Sequence, residues 1–203
     1  MFDNRLTWAA HVTYINKKLR KCIYMLSTLS RVLELAQLKT VYYAYVQSLL
    51  QYGIICWGGT FSTIIQPLLI TQKSIIKAAL KKPLKYPTYR LFQNFQVLDV
   101  RQLFIKVLVL YTFKNNFSFL QKNEHIYPTR YNINLGITTP RIHKSISAKS
   151  SYYIAHVIYG RLPTDLRVPG ACSLATYKGR LEKWLLETGR DSSADMIVSD
   201  YVC

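Results

Sequence analysis

The run at residues 39–59, KTVYYAYVQSLLQYGIICWGG, constrains the fold more than any other stretch, because it joins a helical period to a glycine breaker. Leu38, Val41, Tyr42, Tyr45, Leu49 and Tyr52 recur at three- and four-residue steps. That spacing places them on one stripe of an α-helix, with Gln47, Ser48 and Gln51 mostly off it, and predicts a buried central helix. Gly53 is expected to end or bend it. After the short apolar run Ile54, Ile55, Cys56 and Trp57, the pair Gly58-Gly59 favours a turn over continued helix, since neither residue carries a Cβ.

Helical periodicity extends to both sides. Thr7 is a candidate N-cap for a helix to about residue 30, with Val12, Ile15, Leu19, Cys22, Ile23, Leu26 and Leu29 as its apolar stripe. Lys17, Lys18, Arg20 and Lys21 fall largely off that stripe. Further on, Pro67 suits a first helical turn, where its missing N–H costs nothing, and Leu68, Leu69, Gln72, Ile75, Ile76 and Ala79 continue from it. Four-residue spacing sets Lys73, Lys77 and Lys81 in a row on this helix, with Lys82 and Lys85 close by. Such a row repels itself unless an anion answers it; an ordinary solvated face is the other reading.

Pro83, Tyr86 and Pro87 mark a loop at 82–88, where Lys82, Lys85 and Arg90 are interleaved with Tyr86 and Tyr89. Asp99 with Gln102 reads as a capping box, opening a helix over Val100, Leu103, Phe104, Val107, Leu108 and Tyr111 to about residue 116. Over 121–149 the period fails, which predicts a loop-rich linker with short strands around 131–135. Ser150 or Ser151 can cap a helix to about Tyr159, ended by Leu162-Pro163. Ser173 caps a last helix through Leu174, Tyr177, Leu181, Trp184 and Leu185, and Gly189 stops it. The expected class is mainly α: a helical bundle, then a loop-rich linker, then a small helical C-terminal part.

Half of the 203 residues are hydrophobic, which argues for a packed core rather than a disordered chain. The net charge of +17 points outward instead, to a polyanionic partner. Between residues 35 and 123 there are eleven Lys or Arg against one acid, Asp99, so the middle of the chain is the part that faces the polyanion. Nucleic acid is the expected partner and an anionic membrane surface the rival. The most apolar window, 41–57, is interrupted by Gln47, Ser48, Gln51 and Gly53 and falls short of the roughly 20 apolar residues of a bilayer span. Cys22, Cys56, Cys172 and Cys203 lie far apart without Cys-x-x-Cys spacing, as reduced thiols of a nuclear or cytoplasmic chain would. His11, His125, His143 and His156 stand at no ligand spacing with a cysteine, so no metal site is expected.

Five pieces of the chain, in order, carry a resemblance. They are Phe2-Asp3-x-x-Leu6-Thr7-Trp8-x-x-His11-Val12; Tyr42 through Ser48, Leu50, Tyr52-Gly53 and Trp57-Gly58; Leu68-Leu69-x-x-Gln72-Lys73-x-x-Ile76; Tyr127-Pro128-Thr129-Arg130; and Tyr159-Gly160-Arg161-Leu162-Pro163. Together they resemble the region downstream of the catalytic palm in reverse transcriptases of non-LTR, LINE-type and jockey-like retrotransposons. Pro128 and Gly160 stand where the family's pattern has Asn.

The resemblance implies a helical thumb-like domain over 1–120, with 1–7 a remnant of the palm edge. The linker 121–149, a small helical region 150–188 and an acidic tail 189–203 would follow. It implies a fragment of an RNA-directed DNA polymerase that holds an RNA/DNA template–primer duplex against the palm of a parent polymerase. Polymerase chemistry needs carboxylates that hold two divalent ions. The family's Asp-Asp motif would lie upstream of residue 1, and no Asp-Asp occurs here, so no catalytic residue, no metal ligand and no cofactor are expected, Mg belonging with the missing palm. The expected function is sequence-independent binding of nucleic acid through Lys73, Lys77, Lys81, Lys82 and Lys85, then Lys17, Lys18 and Lys21, without a membrane partner. A helical protein-interaction module, or a non-functional remnant of a decayed element, are the alternatives.

Overall fold

A computed structural model describes residues 7–115, 140–141, 147–167 and 172–189. These residues are mainly helical, and no strand occurs among them. The expected strands at 131–135, the Tyr127-Pro128-Thr129-Arg130 element, most of 121–149, the palm-edge residues 1–6 and the acidic tail from 190 lie outside the described residues. Two compact units divide the chain, Met1–Phe104 and Ile105–Cys203.

The first unit is built on α1 (Ala9–Leu29) packed against α5 (Ser62–Ala79). Val12, Ile15, Leu19, Cys22 and Leu26 form the buried side of α1; Ile65, Leu68, Leu69, Ile75, Ile76 and Ala79 form that of α5. Just before the two helices, Thr60 Oγ1 donates to Thr7 O at 3.2 Å, and further along Thr71 Oγ1 donates to Asn16 Oδ1 at 2.6 Å. Two contacts in the same order along both segments mean that the helices run parallel. Helix α1 begins one residue later than expected: Trp8, with a left-handed backbone (φ 64), is the N-cap, not Thr7. His11 sits between the rings of Trp8 and Trp57, each 6.0 Å away, and burial lowers its pKa below the ordinary value.

The central segment departs from its expected stripe. Helix α2 (Leu35–Tyr42) passes into a wider, π-type turn at Tyr43–Gln47, closed by the Ser48 N–H donating to Tyr43 O, and then into α3 (Ser48–Gln51). Leu38, Tyr42, Val46, Leu50 and Ile54 are buried, whereas Tyr45 is 58% and Tyr52 77% exposed. Strict four-residue steps drift about 40° per step around a 3.6-residue helix, and the wider turn takes up that drift, keeping the buried side in line. Of the three tyrosines expected in the core, Tyr42 is there, while Tyr45 and Tyr52 are thereby turned outward. Gly53 breaks the segment with φ 61, as expected, before α4 (Ile54–Trp57).

Helix α5 starts five residues before Pro67, so the proline is inside the helix and not in its first turn as expected. It cannot bond the Thr63 carbonyl, but Thr63 and Pro67 are both exposed, where water can replace the lost bond. On the opposite side Gln72 is buried and its Nε2 donates to Tyr42 Oη at 2.7 Å and Leu98 O at 2.9 Å, tying α5 to α2 and to the approach to α7 (Val100–Lys114). Burial pushes the Tyr42 phenol well above its usual range, the Gln72 bond only partly offsetting it. Helix α6 (Thr88–Phe95), which the period did not reveal, buries Leu91, Phe92 and Phe95, the last edge-on to Tyr42 at 5.3 Å.

The expected capping box opens α7: Gln102 N–H donates to Asp99 Oδ1 at 2.8 Å, and Asp99 N–H to Gln102 Oε1 at 3.1 Å. Next to it the buried Arg101 donates to the carbonyls of Gly58 (2.8 Å) and Thr60 (3.0 Å). From Val100 to Lys106 every residue of α7 is buried, the polar Arg101, Gln102 and Lys106 included, so its buried face is wider than the apolar period predicts.

In the second unit the later part of α7 pairs Lys106 with Glu182 at 2.9 Å and stacks Phe113 on Tyr177 at 4.1 Å. Ser150 caps α8 (Ser151–Arg161), and Ser173 caps α10 (Leu174–Thr188), each hydroxyl accepting the backbone N–H three residues on. Between them α9 (Thr164–Arg167) is pinned from both sides: Tyr159 Oη donates to Arg167 O at 2.6 Å, and Tyr177 Oη to Leu166 O at 2.8 Å. A Cβ at Gly160 would meet open space. The same openness surrounds Gly179 inside α10. Gly179→Ala is expected to raise stability by about 0.5–1 kcal/mol, through helix propensity alone, in urea denaturation. Among the described residues no helix is long and apolar enough to cross a membrane.

Candidate nucleic-acid interface

Two helices of the first unit carry the lysines singled out above. On α1 the apolar side takes Val12, Ile15, Leu19, Cys22 and Leu26, which leaves Tyr14, Lys17, Lys18, Lys21 and Tyr24 together on the opposite side, all exposed. No acid occurs anywhere in α1. Lys18 Nζ stands 4.6 Å from the centre of the Tyr14 ring, a cation–π distance. Tyr14 and Tyr24 were not singled out from the sequence, although their spacing, i, i+3, i+4, i+7 and i+10 with the lysines, was available there.

The second group surrounds the C-terminus of α5, and here the expected row is broken. Lys73 and Lys77 are on the helix, both half-buried, but the helix ends at Ala79 and Lys81 takes a left-handed backbone (φ 52) outside it. Lys82 N–H then donates to Lys77 O at 2.9 Å and Lys81 N–H to Ala78 O at 3.3 Å, the paired bonds of a Schellman stop, with lysine where glycine is usual. The Lys77 ammonium also donates to Leu84 O, drawing the 80–87 loop onto the helix end. A cluster of cations at a helix C-terminus is favoured by the helix dipole, by about 0.3–1 kcal/mol per charge. Part of this cluster therefore has a structural reason to be there.

Beyond the stop, Lys81, Lys82 and Lys85 are exposed. Lys82 Nζ is 5.3 Å from the Tyr86 ring centre, and the Arg90 guanidinium carbon 5.5 Å from that of Tyr89. Tyr86 Oη accepts from Asn94, which holds the loop tyrosine to α6. The Asn16–Thr71 contact sets Lys17, Lys18 and Lys21 at about the height of residues 72–76 along the parallel pair, so the α1 lysines lie towards the same end as Lys73 and Lys77. Between residues 7 and 104 the acids are Glu34 and the buried Asp99 alone, and Asp99 serves the α7 cap. Little in the unit offsets the exposed positive charge.

Among the described residues no group of three or more His, Cys, Asp or Glu could hold a metal ion. Compared with protein-family profiles, with curated proteins and with solved structures, the chain matches none.

Proposed function

We propose that the first unit binds nucleic acid through its phosphates, without sequence preference, in the manner of a thumb-like region holding a template–primer duplex. The observation that carries this reading is six exposed lysines, Lys17, Lys18, Lys21, Lys81, Lys82 and Lys85, in a unit where Glu34 is the one exposed acid among the described residues. Lys and Arg that neutralise phosphates release counterions and carry no sequence information. Half-buried Lys73 and Lys77 contribute field, and Lys77, through its bond to Leu84 O, also holds the loop that presents the exposed lysines. The resemblance to non-LTR reverse transcriptases agrees with this role and with a nuclear or cytoplasmic site of action.

Fluorescence anisotropy with labelled duplexes of unrelated sequence tests the reading. Affinities within a few-fold of one another, all weakening steeply with salt, are expected; a preference of a hundred-fold for one sequence would overturn it. The proposal also assigns no polymerase chemistry to this chain by itself. Incubated with a primed RNA template, deoxynucleotides and magnesium, the purified chain is expected to extend no primer beyond a heat-killed control, and extension above that control would refute this.

A further inference from the structure

The outer side of α1 has more than charge. We infer that this side is a binding track for unpaired nucleic acid, with Tyr14 and Tyr24 as stacking platforms for bases and Lys17, Lys18 and Lys21 between them for the connecting phosphates. The inference rests on the nucleic-acid reading above and adds to it the strandedness of the ligand. Tyr24 is 79% exposed and Tyr14 46%, a large apolar ring area to leave in water on a helix whose opposite side has a full apolar stripe. A duplex hides its base faces and would give these rings nothing to stack on. A single strand offers them, and rings alternating with cations along a positive track are the pattern that sequence-tolerant single-strand binding uses.

The dimensions agree. Ten residues of helix separate Tyr14 from Tyr24, a rise of about 15 Å. A single strand covers that rise in about four steps if it keeps the roughly 3.4 Å stacking of a duplex strand, and in fewer if it is extended. Lys17, Lys18 and Lys21 fall within that interval, on the same side, and no acidic side chain in α1 opposes a phosphate. Lys18, poised over Tyr14, would hold a phosphate beside the base stacked on that ring.

The test uses the full chain and two probes, a mixed-sequence 12-nucleotide single-stranded DNA and the corresponding duplex. Tyr14→Ala with Tyr24→Ala is expected to lower affinity for the single strand by roughly five-fold or more per ring, and to leave duplex affinity and the salt slope unchanged. Tyr14→Phe with Tyr24→Phe, which keeps the rings, should restore single-strand binding. Replacing Lys17, Lys18 and Lys21 by Gln should instead flatten the single-strand salt slope by about two units, at some 0.7 per phosphate. Both tyrosines are exposed, so an unchanged melting temperature is expected and separates lost binding from lost fold. If the Ala pair binds the single strand as the unaltered chain does, the inference fails while the phosphate-binding reading stands. If neither probe binds at low salt, both fail.

Discussion

Replacing Lys81, Lys82 and Lys85 together by Gln is expected to flatten the dependence of log affinity on log salt, measured on duplex DNA, by about two to three units. Each neutralised phosphate contributes a slope of about −0.9, and all three side chains are exposed beyond the end of α5. Gln at position 81 keeps the local backbone, because Gln96 already holds the same left-handed conformation at the end of α6 (φ 53, against 52 at Lys81). The loss of cations at the α5 C-terminus costs some stability, about 0.3–1 kcal/mol per charge, but stability does not enter the salt slope of the folded protein. A control triple in the second unit, Lys114, Lys178 and Arg180, all exposed, changes net charge by the same amount. If these residues act only through the general field, both triples shift the slope equally, and the assignment of the interface to the first unit is wrong.

Gly58→Ala is expected to destabilise the first unit by about 3 kcal/mol or more, at the upper end of what overpacking costs. A Cβ built there lies 2.3 Å from Phe104 Cδ2, 2.7 Å from Phe104 Cγ and 2.6 Å from Ile54 O. Phe104 is fully buried and cannot swing into solvent, and the Gly58 carbonyl is held by Arg101, so neither side yields cheaply. In a Phe104→Leu background the same substitution should cost less, since ring atoms are removed. The cost should not vanish, because the Ile54 carbonyl stays. Gly53→Ala makes the contrast: nothing lies within 4 Å of its Cβ, and only the positive φ of 61 opposes it, so about 1 kcal/mol is expected. Urea denaturation of Gly58→Ala, Phe104→Leu, their double variant and Gly53→Ala checks all of this, and a Gly58→Ala loss under 1 kcal/mol would refute the packing argument.

These two glycines separate what is local from what is not. That Gly53 breaks a helix, that a serine at 150 or 151 and Ser173 begin two others, and that Asp99 and Gln102 cap a third could be read from the chain, because each depends on atoms within three or four residues. The mainly α class follows from the same local signals. Gly58 could be read only as a turn residue; its tighter constraint comes from Phe104, 46 positions later, which no local pattern contains. The lysine row failed for a related reason. Four-residue spacing holds only while the helix lasts, and α5 stops at Ala79 by a Schellman turn that lacks the glycine usually announcing it.

Tyrosine was the residue the sequence ordered least well. Tyr42 and Tyr45 share one helical neighbourhood and one chemistry, yet the first is buried against Gln72 and Phe95 and the second is in solvent. An amphipathic ring satisfies a core or a surface almost equally, so its own period does not decide between them. What decides is the packing on the other side. The widened turn at Tyr43–Gln47 keeps the four-residue series Leu38, Tyr42, Val46, Leu50 facing inward, and α1, fully supplied with aliphatic residues, leaves Tyr14 and Tyr24 outside among the lysines. Sequence alone determined that this protein is helical, basic and poor in carboxylates; only the tertiary structure decided which of its rings and cations meet water, because burial is a property of the facing surface and not of the residue.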